Sequence, residues 1–325
     1  MIDDSEKFIG FYSADGYWVD EVIDLRDRES SAKMIGIVPQ IVAWKENDRF
    51  KAAVCVDGLM LLRMEHLADT APNIGNAGTF NESIAWLDEL FDYANVMQLC
   101  IEAESIKCGK SADVQAVAVL NSETCTVGFI NGQPVNRAHQ SRRSLSCARY
   151  EVASWIALGM KGSAPLEAAS SGWASWQVIS KDAVEAALKK FSDVSRDADM
   201  VKWLSFMAKA KTAYANNDYR VSFTLLWFVI ESAAKMLWSN QGQESNENPS
   251  LFSIAKGLQE FGVIGEDMIA LLDRTRKIRN KLVHEPGSTF VLPAQCMDAA
   301  RVAIHLAVRD PALGFIFKWG SSARF

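Results

Sequence analysis

The sequence predicts an α+β protein, with an N-terminal domain that mixes strands and helix followed by an all-α helical bundle. Two observations lead there. Residues 35–44 and 52–56 are short β-prone runs, separated by the turn-forming Lys45-Glu46-Asn47-Asp48. After about residue 181 the apolar side chains recur at helical spacing, and Asn216-Asn217-Asp218, Pro249, Pro286-Gly287 and Pro311 cut the chain into helix-length pieces. At 325 residues the chain is too long for one small core, and 49% hydrophobic with 23% charged residues is ordinary for a folded protein.

Taken in order, residues 81–97 read as a helix with Ile84, Leu87, Leu90 and Phe91 near one face. Three β-prone segments follow at 98–106, 114–120 and 124–130, joined by Gly109-Lys110-Ser111 and Asn121-Ser122-Glu123. The polar, basic stretch 136–144 suits an exposed connection, and a second polar stretch, 164–171, precedes Trp173 and Trp176. The reading is therefore an N-terminal α+β sensing or regulatory domain over 1–145, a connecting helical region over 146–194 and a helical domain over 195–325.

Within the last of these, Ser180 caps one helix, and 197–215 and 219–239 form two more. The third is apolar on nearly every side and should lie inside the domain. Pro249-Ser250 opens a short helix over 251–261. The next helix, 266–284, has acids in its first turn and bases in its last, as the helix dipole favours. Pro293 opens the final helix, which should reach residue 309.

Composition narrows the function. The acidic N-terminus has no signal-peptide pattern, and the most apolar helical run, 221–230, is about half a membrane span, so a cytoplasmic location without membrane contact is expected. Six cysteines without a CxxC pair and four histidines (His66, His139, His284, His305) suit buried thiols better than a zinc centre. Gly10, Gly16 and Gly58 form no nucleotide-phosphate motif, and no cofactor is expected. Residues 201–325 carry 15 Lys and Arg against 11 Asp and Glu, a net of +4 that leaves −10 for the rest of a chain whose total is −6. The densest cationic stretch, 274–281, includes Arg276, Lys277 and Lys281, which are expected to bind RNA. A solvated helix face is the plainer account of such a stretch.

Chemistry concentrates at the end of that helix. Pro286 disfavours α geometry at Glu285, so His284 occupies the last turn, where the dipole favours a cationic imidazole able to donate a proton. Arg279 and His284 are five apart, about 140° around the axis, so they flank a shared sector, and Asn280 shares a face with His284. A guanidinium can hold a phosphate while an imidazole moves protons, which suits attack of a 2′-hydroxyl on the adjacent phosphodiester without a metal. Glu231 interrupts the apolar run 225–230 and calls for a cation, with Arg279 and Lys235 as equal candidates. Arg301 with His305, and Arg137, His139, Arg142 and Arg143, are weaker candidates. Trp203, Trp227 and Trp238 fall at core spacings.

The segments Phe223-Thr224-Leu225-Leu226-Trp227-Phe228-Val229-Ile230-Glu231 and Arg276-Lys277-Ile278-Arg279-Asn280-Lys281-Leu282-Val283-His284 together resemble the HEPN superfamily, in particular its Apea-like branch. The resemblance covers roughly residues 195–310. It implies an all-α, usually dimeric bundle in which two Arg-x4-6-His motifs face each other across one ribonuclease cleft. Arg279 and His284 match the catalytic pair, Asn280 the polar neighbour and Glu231 the acid of the earlier helix. Such proteins are common among toxins and antiviral defence systems, which implies an RNA substrate, a homodimer, an antitoxin or trigger protein as partner, and cleavage to a 2′,3′-cyclic phosphate. Glu285-Pro286 after the histidine departs from the pattern and puts a carboxylate beside the expected phosphate. The alternative is a non-catalytic module of the same type that dimerises and binds a nucleotide or partner.

Overall fold

The computed structural model describes residues 6–13, 17–20, 40–70, 80–110, 112, 114, 116–117, 125–130, 133–135, 177–243, 249–308, 313–319 and 323–324. They divide into two compact units, Met1–Asp193 and Val194–Phe325. The first is a sheet with helices and the second is helical, an α+β protein as the sequence predicts.

The first unit is built on strands β1 (Phe8–Phe11), β3 (Ile41–Glu46), β4 (Phe50–Cys55), β5 (Met60–Met64), β6 (Cys125–Ile130) and β7 (Gln133–Val135), in the order β3-β4-β5-β1-β6-β7. Every pairing in this sheet is antiparallel. β4 and β5 are buried almost throughout, which is why their sequences read as apolar runs rather than as alternation. Gly58 turns between them at φ +75°, where a Cβ would meet the Tyr17 carbonyl oxygen at 2.7 Å. A short parallel pair, β2 (Tyr17–Val19) with β8 (Gln177–Ile179), forms a second sheet, which the Val19 N–H joins to the end of β4 by donating to the Val56 carbonyl at 2.9 Å.

The helices of this unit are α1 (Glu65–Asp69), α2 (Phe80–Lys107) and α3 (Lys181–Val194). α2 corrects the sequence reading: residues 98–106, expected as a strand, continue the helix for three further turns. No Gly or Pro interrupts 81–107, and Gly109 at φ +74° ends it. The β-prone look came from burial, because Val96, Met97, Leu99, Cys100, Ile101, Ala103 and Ile106 are all in the core. Val114, Ala116 and Val117, expected in a strand, are irregular. The Asn95 side chain takes the place of a neighbouring strand, accepting from the Val117 N–H (2.7 Å) and donating to its carbonyl (3.2 Å).

Near its end α2 carries Glu104, bonded to Lys107 (2.8 Å) and to Lys190 of α3. Burial pushes the Glu104 carboxyl up, but the hydrogen bonds from the two lysines outweigh it and hold it below the usual carboxylate range. Cys55, Cys100 and Cys296 are buried free thiols and Cys108 is exposed. The expected connection at 136–144, with Arg137, His139, Arg142 and Arg143, lies outside the described residues, as do 164–171, Trp173 and Trp176.

The second unit packs α4 (Ala198–Ala215), α5 (Tyr219–Ser239), α6 (Leu251–Glu260), α7 (Glu266–His284) and α8 (Pro293–Ala307), with a small antiparallel pair, β9 (Lys318–Trp319) and β10 (Ala323–Arg324). Their bounds follow the caps. Asp197 accepts from the amides of Asp199 and Met200 (both 3.0 Å), and Ser250 from that of Ser253 (3.2 Å). α5 packs chiefly on α4 and α8. It is long and apolar enough by composition to cross a membrane, and half of its most apolar window is buried. It is not wholly internal as expected, since Val221 and Phe228 are 45% and 51% exposed.

Candidate functional site

α7 owes its reach to an uneven distribution of apolar side chains. Its first half anchors in the bundle through Leu271, Leu272 and Thr275. From Arg276 to His284 no residue is fully buried: Arg276, Ile278, Arg279, Asn280 and Leu282 are half-buried, while Lys277, Lys281, Val283 and His284 are exposed, so the end of the helix presents a cationic face. Pro286 ends the helix, and the Glu285 amide donates to the Lys281 carbonyl at 2.7 Å as the closing bond. The chain then turns back: the amides of Ser288 and Thr289 donate to the Glu285 carbonyl (3.2 and 3.1 Å). Arg220 at the start of α5 ties this turn down by donating to the Thr289 carbonyl at 2.8 Å.

His284 is the last helical residue, exposed, and makes no side-chain hydrogen bond or ion pair among the described residues. Arg279 is half-buried and partly fixed. Its guanidinium lies 5.8 Å from the centre of the Trp227 ring and donates to Asn280 Oδ1 over a long 3.4 Å. A guanidinium has five N–H donors, so most of them stay open to an anion.

Glu231 is bonded on both oxygens. Lys235 donates to Oε1 at 2.8 Å and Trp227 Nε1 to Oε2 at 3.2 Å. Its carboxyl is held below the usual range, first by the Lys235 hydrogen bond, against the opposing effect of burial, and in smaller part by the Trp227 bond and the Arg279 charge. The contest between Arg279 and Lys235 for this acid is thus decided for Lys235, which the i,i+4 spacing places within reach. Arg279 is linked to Glu231 through Trp227, whose ring faces the guanidinium while its N–H holds the carboxylate.

The three cations expected on RNA differ. Arg276 donates to Asp273 from Nε (3.0 Å) and Nη2 (2.7 Å) and lies 5.4 Å from the Phe252 ring. Lys277 reaches the same acid at 2.8 Å but is 65% exposed. Lys281 is exposed, and its ammonium has no acid partner among the described residues. Of the weaker candidates, Arg301 pairs with Asp298 at 4.0 Å on the surface of α8. Trp203 is packed and donates to Ser232 Oγ at 3.1 Å, and Trp238 packs edgewise over Gly257.

Sequence reasoning placed Trp227 in the core and missed its second role. The signal was available: Trp227 stands four residues before Glu231 on one helix face. It also missed Phe290, the most exposed large apolar side chain among the described residues at 80%, just past the turn that ends α7. Among the described residues no group of three or more His, Cys, Asp or Glu is placed to hold a metal ion. Comparison with protein-family models, curated proteins and solved structures gives no match.

Proposed function

We propose that the protein is a metal-independent endoribonuclease of the HEPN type, acting in the cytoplasm as a homodimer, in which the tip of α7 carries the chemistry. The observation that carries this reading is that the last turns of α7 hold both an exposed His284, without a side-chain partner among the described residues, and a guanidinium, Arg279, held by Trp227 and Asn280. Such an arrangement favours a phosphodiester, because an anion can approach the open guanidinium donors without displacing an existing carboxylate.

In the proposed reaction Arg279 binds the non-bridging oxygens of the scissile phosphate. The 2′-hydroxyl gives up its proton to a neutral imidazole, and the 2′-oxygen attacks phosphorus. The bond to the 5′-oxygen breaks, and a protonated imidazole gives that oxygen its proton. The products are a 2′,3′-cyclic phosphate and a 5′-hydroxyl, with protons and charge in balance. Two facing tips supply the two imidazoles in opposite protonation states, which is why a dimer belongs to the reading. Asn280 orients Arg279, and Glu231 does so at one remove through Trp227. Toxin or antiviral defence roles fit an enzyme of this kind, with the N-terminal unit as the part that senses a trigger or restrains the cleft.

The test is RNA cleavage in EDTA by the purified chain and by Arg279→Ala and His284→Ala. Each substitution is expected to lower the rate by at least about 100-fold. Undiminished cleavage in both variants would take these residues out of the chemistry. Specific binding with no cleavage at any enzyme concentration would favour the non-catalytic module instead.

A further inference from the structure

Beside the end of α7 lies an open groove of about 320 Å³, lined on the helix by Lys277 and Lys281 and, past its end, by Glu285, Ser288, Thr289 and Phe290. Its volume is at the lower end of what small-molecule sites enclose, about one nucleotide. At 100° per residue, Lys277, Lys281 and His284 fall within about 60° of arc on α7, so the groove opens onto the face that carries His284. At the same spacing Arg279 stands about 140° from His284 and about 160° from Lys281, on the side of α7 away from the groove.

The chemistry of the lining is mixed in a specific way. Phe290 is 80% exposed although it is a large apolar ring, and the tied-down turn from Glu285 to Thr289 leads directly into it. An exposed ring lining one groove with two ammonium groups and two hydroxyls suits a nucleobase, which stacks on any aromatic face while its phosphates meet the cations. Glu285, an exposed residue of the lining, disfavours a phosphate at its own end of the groove and suits the amino or imino edge of a base there, since a carboxylate only accepts hydrogen bonds.

We propose that this groove, on the face of α7 that carries His284, binds one unpaired nucleotide of the RNA, its base stacked on Phe290 and its phosphates on Lys277 and Lys281. The inference rests on the ribonuclease reading and narrows it. In an A-form duplex the bases are stacked on one another and no face is free for Phe290.

Binding is measured in the His284→Ala background by fluorescence anisotropy, with a labelled single-stranded RNA and the fully paired duplex of the same strand. Because the readout is affinity, its outcome is separate from whether the wild type cuts RNA at all. The single strand is expected to bind at least about tenfold more tightly than the duplex. Phe290→Ala is expected to abolish most of that preference, and Phe290→Trp to retain it. Lys277→Ala with Lys281→Ala is expected to lower the salt dependence of binding by about 1.4 in log Kd per log salt, the value for two phosphate contacts on a single strand. Equal affinity for both RNAs, or a Phe290→Ala protein that binds as before, would overturn the proposal. So would loss of the dimer by sedimentation in Phe290→Ala, which would show the ring to be covered by a second copy of the chain.

Discussion

Trp227 carries two jobs at once, because its N–H holds Glu231 at 3.2 Å while its ring faces Arg279 at 5.8 Å. The cation–π contact is worth about 0.5–1 kcal/mol at a partly exposed site. Trp227→Phe keeps a ring in the buried position but removes the donor, so the account expects cleavage to fall about two- to fivefold with the melting temperature little changed. Glu231→Gln should behave similarly, since Lys235 and Trp227 hold the acid and Arg279 is one step removed. Steady-state kinetics on both variants checks this; a loss as large as that of His284→Ala would mean that Glu231 touches the substrate. In the first unit Glu104 provides a pH-dependent test. Its folded-state pKa is depressed, so its contribution to stability is present above the unfolded value of about 4.5 and is lost as pH falls through the lower folded value. Urea titrations at pH 7 and pH 3.5 should therefore show a smaller acid loss in Glu104→Gln than in the wild type. The same substitution should cost about 3 kcal/mol at pH 7, because the buried Lys190 loses the charge of Glu104.

Helix ends were legible and helix interiors less so. Gly265, Ser250, Asp197 and Pro286 are punctuation that any local reading finds, and α7 spans Glu266–His284 as the sequence predicts. The end of α2 was misread because a helix buried on several sides loses its periodicity, and Val96 to Ile106 then looks like a strand. The exposed stripe of α5 was missed for the converse reason: Phe228 and Val221 are apolar yet face outward, so composition alone could not separate the two faces. The Arg279–His284 pair was legible as spacing, whereas the bridge through Trp227 and the groove at Phe290 depend on contacts between elements that no local pattern encodes. Two glycines give contrasting tests of the packing. A Cβ at Gly257 would lie 2.1 Å from Trp238 Cζ3, so Gly257→Ala should destabilise the second unit by about 1–3 kcal/mol. Gly265 has nothing within 4 Å and caps α7 without a side-chain bond, so Gly265→Asp should stabilise by a few tenths of a kcal/mol. Thermal denaturation should move in opposite directions for the two.

For the whole molecule the charge is divided, with a net of +4 over 201–325 and −10 over the remainder. A cationic tip on an acidic chain favours local capture of an RNA strand over general affinity for nucleic acid, and binding should weaken steeply with salt. Val221 and Phe228 are exposed on the same face of α5 as Glu231 and Lys235. The proposed dimer needs a surface that brings two tips together, and this apolar face is the one to test. Phe228→Glu is therefore expected to shift the sedimenting species toward monomer and to lower cleavage in parallel; an unchanged mass would place the interface elsewhere.

The claim on which the rest depends is that the helix end at Arg279 and His284 performs transesterification through the 2′-oxygen. It is tested most directly by the termini of RNA cut in EDTA. The account expects 2′,3′-cyclic phosphate and 5′-hydroxyl ends, formed by the wild type and absent with His284→Ala. Ends bearing a 3′-hydroxyl and 5′-phosphate, or cyclic phosphate produced equally by the His284→Ala protein, would contradict it.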